Sequence, residues 1–421
     1  MKSLALIRGV LQFSILSLLV SVSIVRGSAA RHDWPEFRGP TGQGESMATN
    51  VPVHWSATSN VAWKLELPGE GWSSPVLVDG KVYLTTAVAD AGTSLRVLQI
   101  DAKGKIGWNV EVFAPGAGEV QSLHKKNSLA SPTLVVRGGK LYAHFGHMGT
   151  AALDLSGKIL WRQTDLKYPP MHGNGGSPIL VGDLLVFSCD GEKDPFLVAL
   201  DINTGEVRWK TFRDSTATRK FSFSTPLAIE VSGSTQIISP TSGYVGAFDP
   251  ADGREIWRVN YREGFSLIAR PVFGHGLVFI SSGYMRPVLH ALDPLDAKGD
   301  VTATHVRWTH SKGAPNAPSP LVYGENLYFI SDSGIATCVD ARTGVVHWNE
   351  RIGGDFSASP TLAEGRLYFQ NETGVGTVVK AEKVFEVLAR NDLGERTLAS
   401  PAVADDALYL RSQKHLWRIG H

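Results

Sequence analysis

The stretch Ser319-Pro320-Leu321-Val322-Tyr323-Gly324-Glu325-Asn326-Leu327-Tyr328-Phe329-Ile330, continued by Val339-Asp340-Ala341-Arg342-Thr343-Gly344 and then Trp348, decides the fold. Two apolar runs of strand length flank a turn at Gly324, and a third run ends at Asp340. Arg342-Thr343-Gly344 reads as a tight turn, because glycine tolerates positive φ and an aspartate at the turn's start accepts backbone N–H bonds. Trp348 marks a fourth short strand. The runs are continuously apolar rather than alternating, as in sheets covered on both faces.

This unit recurs. A Ser/Thr-Pro step is found at Ser74-Pro75, Ser131-Pro132, Ser177-Pro178, Thr225-Pro226, Ser319-Pro320, Ser359-Pro360 and Ser400-Pro401, and Arg270-Pro271 stands in the fifth copy. The proline spacings are 57, 46, 48, 45, 49, 40 and 41. Between these steps lie the Asp…Trp elements Asp101 to Trp108, Asp154 to Trp161, Asp201 to Trp209, Asp249 to Trp257, Asp293 to Trp308 and Asp340 to Trp348. The seventh is degenerate: Val379-Lys380 replaces the apolar-Asp pair, and Phe385 is read as the counterpart of the Trp. Ala381–Arg390 alone could pass for a helix, but its place in the repeat argues for a strand. The eighth copy ends after Leu416-Trp417-Arg418-Ile419, while an orphan strand, Val61-Ala62-Trp63-Lys64, precedes the first copy. Eight four-stranded units closing into a ring give an all-β, eight-bladed β-propeller, with the N-terminal strand completing the last blade. Closure removes exposed sheet edges. The aspartates are expected to cap turns and the tryptophans to pack between blades.

Composition agrees. The 421 residues carry a formal net charge of +1, with 43% hydrophobic and 19% charged residues. That balance suits a folded chain and argues against a dispersed nucleic-acid-binding surface. The 44 Gly match the demand for turns, and 2 Cys exclude a disulfide-built scaffold and a four-thiolate metal site. Cys189 and Cys338 fall on distant blades and are expected to be unpaired and buried.

Residues 1–30 read as a secretory signal. Lys2 and Arg8 precede an apolar stretch from Gly9 to Val25, and Ser28-Ala29-Ala30 supplies small residues at the cleavage point. The alternative is a retained anchor, although the apolar run is shorter than a span prefers. No other segment is long and apolar enough to span a bilayer. The expected product is exported, periplasmic or secreted, and monomeric. Residues 31–60 form an N-terminal arm packing on the ring, and 61–421 form the propeller.

The eightfold Ser-Pro, Leu-Asp, Thr-Gly, Trp pattern resembles the pyrroloquinoline-quinone-type repeat. That superfamily includes eight-bladed quinoprotein dehydrogenases and the propeller lipoprotein of the outer-membrane barrel-assembly machinery. The resemblance covers residues 61 to 421. Asp33-Trp34-Pro35-Glu36-Phe37-Arg38-Gly39-Pro40-Thr41-Gly42-Gln43-Gly44 also resembles the opening of exported bacterial members of this group. The dehydrogenase resemblance would imply a vicinal Cys pair over the quinone, a Trp beneath it, a Ca²⁺ site and an Asp base. Here the two Cys stand 149 positions apart. Pyrroloquinoline quinone with Ca²⁺ is therefore not expected, and no catalytic residue is assigned.

Loops leading into strand one, and those joining strands two and three, should open on one face, the funnel mouth. They bring His124, Lys125, Asn127, His144, His147, His172, Asn174, Asp190, Lys220, Tyr244, Arg270, Tyr284, Arg286, Lys312 and Arg396. Imidazoles at His124, His144, His147 and His172, with Asp190, would suit a transition metal such as Zn²⁺, Cu²⁺ or Fe²⁺. The cations, with Phe221, Phe223 and Tyr284, would suit a small anionic or carbohydrate ligand. No nucleophile elbow or phosphate loop occurs. The sequence thus points to a module that binds a protein partner or ligand at its mouth, with a quinone- or metal-dependent oxidoreductase as the alternative.

Overall fold

The computed structural model describes residues 32–420, apart from 90, 91, 117, 121, 262 and 263. The signal read in residues 1–30 lies outside the described residues. Among the described residues the strands form eight sheets, each with four antiparallel strands in meander order. Blades 1 to 8 span residues 76–113, 135–163, 179–212, 227–260, 272–310, 321–351, 361–392 and 402–419. Blade 8 takes its outermost strand from Val61–Glu66, which pairs antiparallel with His415–Ile419. The first strand of blade 1 packs against the first strands of blades 2 and 8, so the ring closes.

The repeated residues explain themselves as joints between blades. Near the axis, the backbone N–H groups of six step residues donate to the hydroxyl of the next blade. Ser74 donates to Thr133, Thr133 to Ser177, Ser177 to Thr225, Arg270 to Ser319, Ser319 to Ser359 and Ser359 to Ser400, each at 2.9 Å. This belt corrects the second copy. Thr133-Leu134, not Ser131-Pro132, leads into the strand Val135–Arg137 and occupies the step position. The belt lacks the link from blade 4 to blade 5, where Arg270 replaces the hydroxyl residue, and the link from blade 8 to blade 1, where the buried Ser74 hydroxyl has no hydrogen-bond partner among the described residues.

At the rim, each Trp reaches the turn of the next blade. The indole N–H groups of Trp63, Trp108, Trp161, Trp209, Trp308 and Trp348 donate to the carbonyls of Ala102, Leu155, Ile202, Pro250, Ala341 and Glu382. Gly205 must be glycine: its φ is +76°, and a Cβ there would lie 2.5 Å from Trp161. Trp257 instead donates to Gln236 of its own blade, because the Asp293–His305 connection in blade 5 is long and lacks that tight turn. In blade 7, Val387–Asp392 is a strand. Ala389, opposite Val378, fills the Trp register, whereas Phe385 sits in the preceding turn and packs on Trp348 at 5.1 Å between ring centroids. The aspartates cap their turns as expected: Asp101 Oδ1 accepts from the N–H groups of Lys103 and Lys105.

The arm enters the face that carries the turns between strands one and two. Trp34 pairs with Leu77 in blade 1, and the Pro35 carbonyl accepts from Val136 N–H in blade 2. Gln43 accepts from Phe273 N–H in blade 5, and Glu45–Ser46 adds a parallel strand to Thr361–Ala363 of blade 7. Trp55 then stacks on Tyr368. Arg38 is 1% exposed and donates to the carbonyls of Gln43, Pro320 and Pro360. Burial, with Arg270 nearby, lowers its pKa to about 9. The arm thus fills the channel from this face, using the first strands as its walls.

Candidate functional site

The fifteen residues expected at the mouth separate into three groups. His124, Lys125, His172, Tyr284, Arg286 and Lys312 are exposed. Asn127, Lys220 and Arg396 are half-buried, and His144, His147, Asn174, Asp190, Tyr244 and Arg270 are buried.

Arg270 does not belong to the mouth. It lies at the channel wall, where its guanidinium meets Glu36 at 3.3 Å, the Phe37 carbonyl at 2.6 Å and the Pro226 carbonyl at 3.0 Å. It anchors the arm. A Cβ on Gly42 would fall 2.5 Å from its Nη1, so the arm's glycine permits the close approach.

The four histidines do not come together. His124 and His172 lie side by side at the surface, ring centroids 5.7 Å apart, and burial with the His172 charge lowers the His124 pKa. His144 ends the strand Lys140–His144, where its Nδ1 bonds Thr150 Oγ1 at 2.8 Å and its ring packs on Phe187. Burial drives its pKa to about 3, so the imidazole is neutral. His147 sits in the short 3-10 turn Gly146–Met148 and bonds the Glu119 carbonyl and Asn174. Among the described residues no group of three or more His, Cys, Asp and Glu side chains is placed to hold a metal ion.

Asp190 is committed elsewhere. Its carboxylate meets Arg213 at 3.2 Å with both side chains fully buried. Arg213 also donates to Ser188 and Ser239. Burial raises the Asp190 pKa, and Arg213 opposes that rise. Tyr244 is buried beside this network, its ring beneath the Arg258 guanidinium. Such a fully buried pair fixes the junction of blades 3 and 4 and costs several kcal/mol if one partner is removed.

The open part of the mouth is aromatic. His124, His172, Phe221, Phe265 and Tyr284 form a continuous run of ring contacts with centroids 5.5 to 5.7 Å apart. Phe223 branches from Phe221, and Arg219 lies over Phe265. Leu123 (37% exposed), Ile268 (39%), Tyr284 (49%) and Met285 (70%) present apolar side chains beside this run. Leu123, Phe265 and Ile268 were not singled out in the sequence, although apolar residues in a Gly-Ser-rich loop such as Gly264-Phe265-Ser266-Leu267-Ile268 carry that signal. Over the neighbouring sector, the loop leading into blade 2 crosses inward. Lys126 pairs with Glu372 of blade 7 at 2.5 Å, and Arg396 of blade 8 donates to the Lys125 carbonyl. Blades 2 and 7 are not neighbours, so these bonds bridge the top of the ring.

A cleft of about 1020 Å³ lies on the arm's face among the outer turns of blades 3 to 5. Its arginines are already paired, Arg208 with Asp201 and Arg254 with Asp249.

The family model described as outer membrane protein assembly factor BamB matches residues 48–164, 241–325 and 297–416, well over half of the chain. The chain belongs to this family. Its propeller resembles that of BamB from Moraxella catarrhalis, at 14% identity and a TM-score of 0.61, covering 86% of this chain and 98% of that one. A europium-containing methanol dehydrogenase gives 12% identity and a TM-score of 0.67, covering 91% of this chain and 90% of that one. The computationally designed Ika8 protein gives 11% and 0.59, covering 84% and 99%. These likenesses establish the PQQ-like propeller fold. No curated protein sequence matches the chain.

This BamB-family chain has no vicinal Cys pair of the kind the dehydrogenase resemblance implies. Cys189 lies in blade 3 and Cys338 in blade 6, both buried, and burial pushes the Cys338 thiol up to about 12. Neither can form a vicinal disulfide. Among the described residues no helix is long and apolar enough to cross a membrane.

Proposed function

We propose that this chain is an exported recognition module that holds a protein partner against the aromatic run of its mouth. The observation that carries the reading is the uncovered strip formed by Tyr284, Met285, Ile268 and Leu123 on a ladder of edge-to-face rings. Contiguous exposed apolar surface on a folded chain, rimmed by polar groups, marks an interaction site. Aromatic and Met side chains are enriched in such interfaces, and the exposed Lys125, Lys312 and Arg286 form a cationic rim. The partner surface is thus apolar with acidic flanks. The matching family's description as an assembly factor points the same way, and the signal read at residues 1–30 supports export.

The test uses the full chain expressed in its own host. Proteins retained on the purified chain are quantified for wild type, Tyr284→Ala, Met285→Ser and the opposite-face variant Lys298→Glu. One partner retained by wild type and Lys298→Glu, but lost from both mouth variants, is expected. Equal retention by all four would sink the proposal. So would reduction of an artificial electron acceptor when alcohols or sugars are supplied with quinone and Ca²⁺.

A further inference from the structure

The arm does not cover the whole of its face. Among the described residues, its hydrogen bonds reach blades 1, 2, 5, 6, 7 and 8, and none reaches blade 3 or 4. Where it stands away from those two blades, a cavity of about 250 Å³ remains between the arm and the first strands. One side is Pro40 and Thr41 of the arm, and the other is Val136, Ile179, Leu180, Leu227 and Ala228. The walls thus present apolar side chains interleaved with a comparable share of polar surface.

Three ionisable side chains line it: Glu36, Arg137 and Arg270. Glu36 and Arg270 neutralise each other, and the Arg270 guanidinium spends its remaining bonds on the carbonyls of Phe37 and Pro226. Arg137 is different. It is exposed, donates one Nη2 bond to the Gly182 carbonyl, and has no carboxylate within ion-pair distance among the described residues. The lining thus sums to a net charge of +1, with the Arg137 guanidinium, whose charge also acts on Glu36, at one end and apolar side chains along the walls.

We infer that this cavity is a small-molecule site for a monocarboxylate with a short apolar body, its carboxylate on Arg137 and its body between the arm and blades 3 and 4. A guanidinium takes a carboxylate through two parallel N–H bonds, a geometry an ammonium or a neutral amide does not reproduce. The volume lies below that of pockets for drug-sized ligands, which limits the body to a single ring or a branched chain. The site is separate from the mouth and lies on the opposite face.

The probes are phenylacetate, 3-methylbutanoate and the neutral phenylacetamide, titrated calorimetrically into the full chain and followed in parallel by ligand-observed NMR. Saturable one-to-one binding of at least one of the two acids is expected, with phenylacetamide at least tenfold weaker. Arg137→Gln, at an exposed position where folding is not at stake, should weaken that acid at least tenfold. Ala228→Phe, which fills the cavity, should abolish binding while the melting transition persists. Failure of both acids to bind wild type, equal affinity for the amide, or unchanged binding by Arg137→Gln would each overturn the assignment.

Discussion

The two faces of the ring are built from the same blades and end in opposite states. On the arm's face the chain supplies its own occupant: Trp34 is 0%, Arg38 1% and Arg270 2% exposed. On the mouth, Tyr284 is 49% and Met285 70% exposed, although they lie beside rings just as closely packed. Apolar side chains are left in water on both faces, Met47 of the arm at 72% and Leu295 at 52% among them, but those of the mouth lie beside a continuous run of packed rings. The contrast shows that the arm is part of the fold, and it is the reason the mouth is the face we propose for a partner.

The contrast breaks most visibly at Trp34. Trp34→Ala removes a fully buried side chain that packs under Gly39 and should cost about 3–5 kcal/mol, read as a lower denaturant midpoint. A near-neutral result would mean the arm merely rests on the ring.

The next effect is on pH dependence. Burial lowers the pKa of His144 to about 3 and that of His290 to about 4. Both lie below the unfolded value of 6.5. The unfolded chain therefore takes up protons first, so their contribution to stability is complete above pH 6.5 and is lost as pH falls towards 3–4. His144→Gln and His290→Gln should each flatten the fall in stability between neutral pH and pH about 5, measured by urea unfolding. An unchanged slope would show that these imidazoles are hydrated.

A smaller effect is expected at the rim joints, which serve both faces alike. Trp308→Phe keeps the ring but loses the bond to the Ala341 carbonyl, at a cost of about 1 kcal/mol. The smallest stability effect is expected at the mouth. Met285→Ser should leave the unfolding midpoint within about 0.5 kcal/mol of wild type, because the side chain is largely in water already. A large loss there would remove the difference between the faces.

The blade grammar was legible in the sequence because each repeated residue meets its counterpart one blade away. Asp101 and Trp108 have the same jobs as Asp340 and Trp348. Errors arose where local spelling and register diverge. Ser131-Pro132 looks like the step, but Thr133 supplies the hydroxyl in the belt. Phe385 looks like the missing Trp, but the bulge in the strand pairing gives that register to Ala389. The site was less legible because burial of a loop side chain depends on segments far away in the chain. Arg270 could be placed only once Glu36, 234 positions earlier, was seen crossing the channel to meet it. Asp190 and His144 likewise read as loop ligands, until Arg213 and Thr150 claimed them.

The most direct test of the proposed recognition face is site-specific photo-crosslinking in the host cell, with the reactive side chain placed at Tyr284 on the mouth or at Lys298 on the arm's face. The account predicts a discrete protein adduct from position 284, absent from position 298 and removed when Met285→Ser is added. Adducts from 298 alone, or none above background from 284, would contradict it.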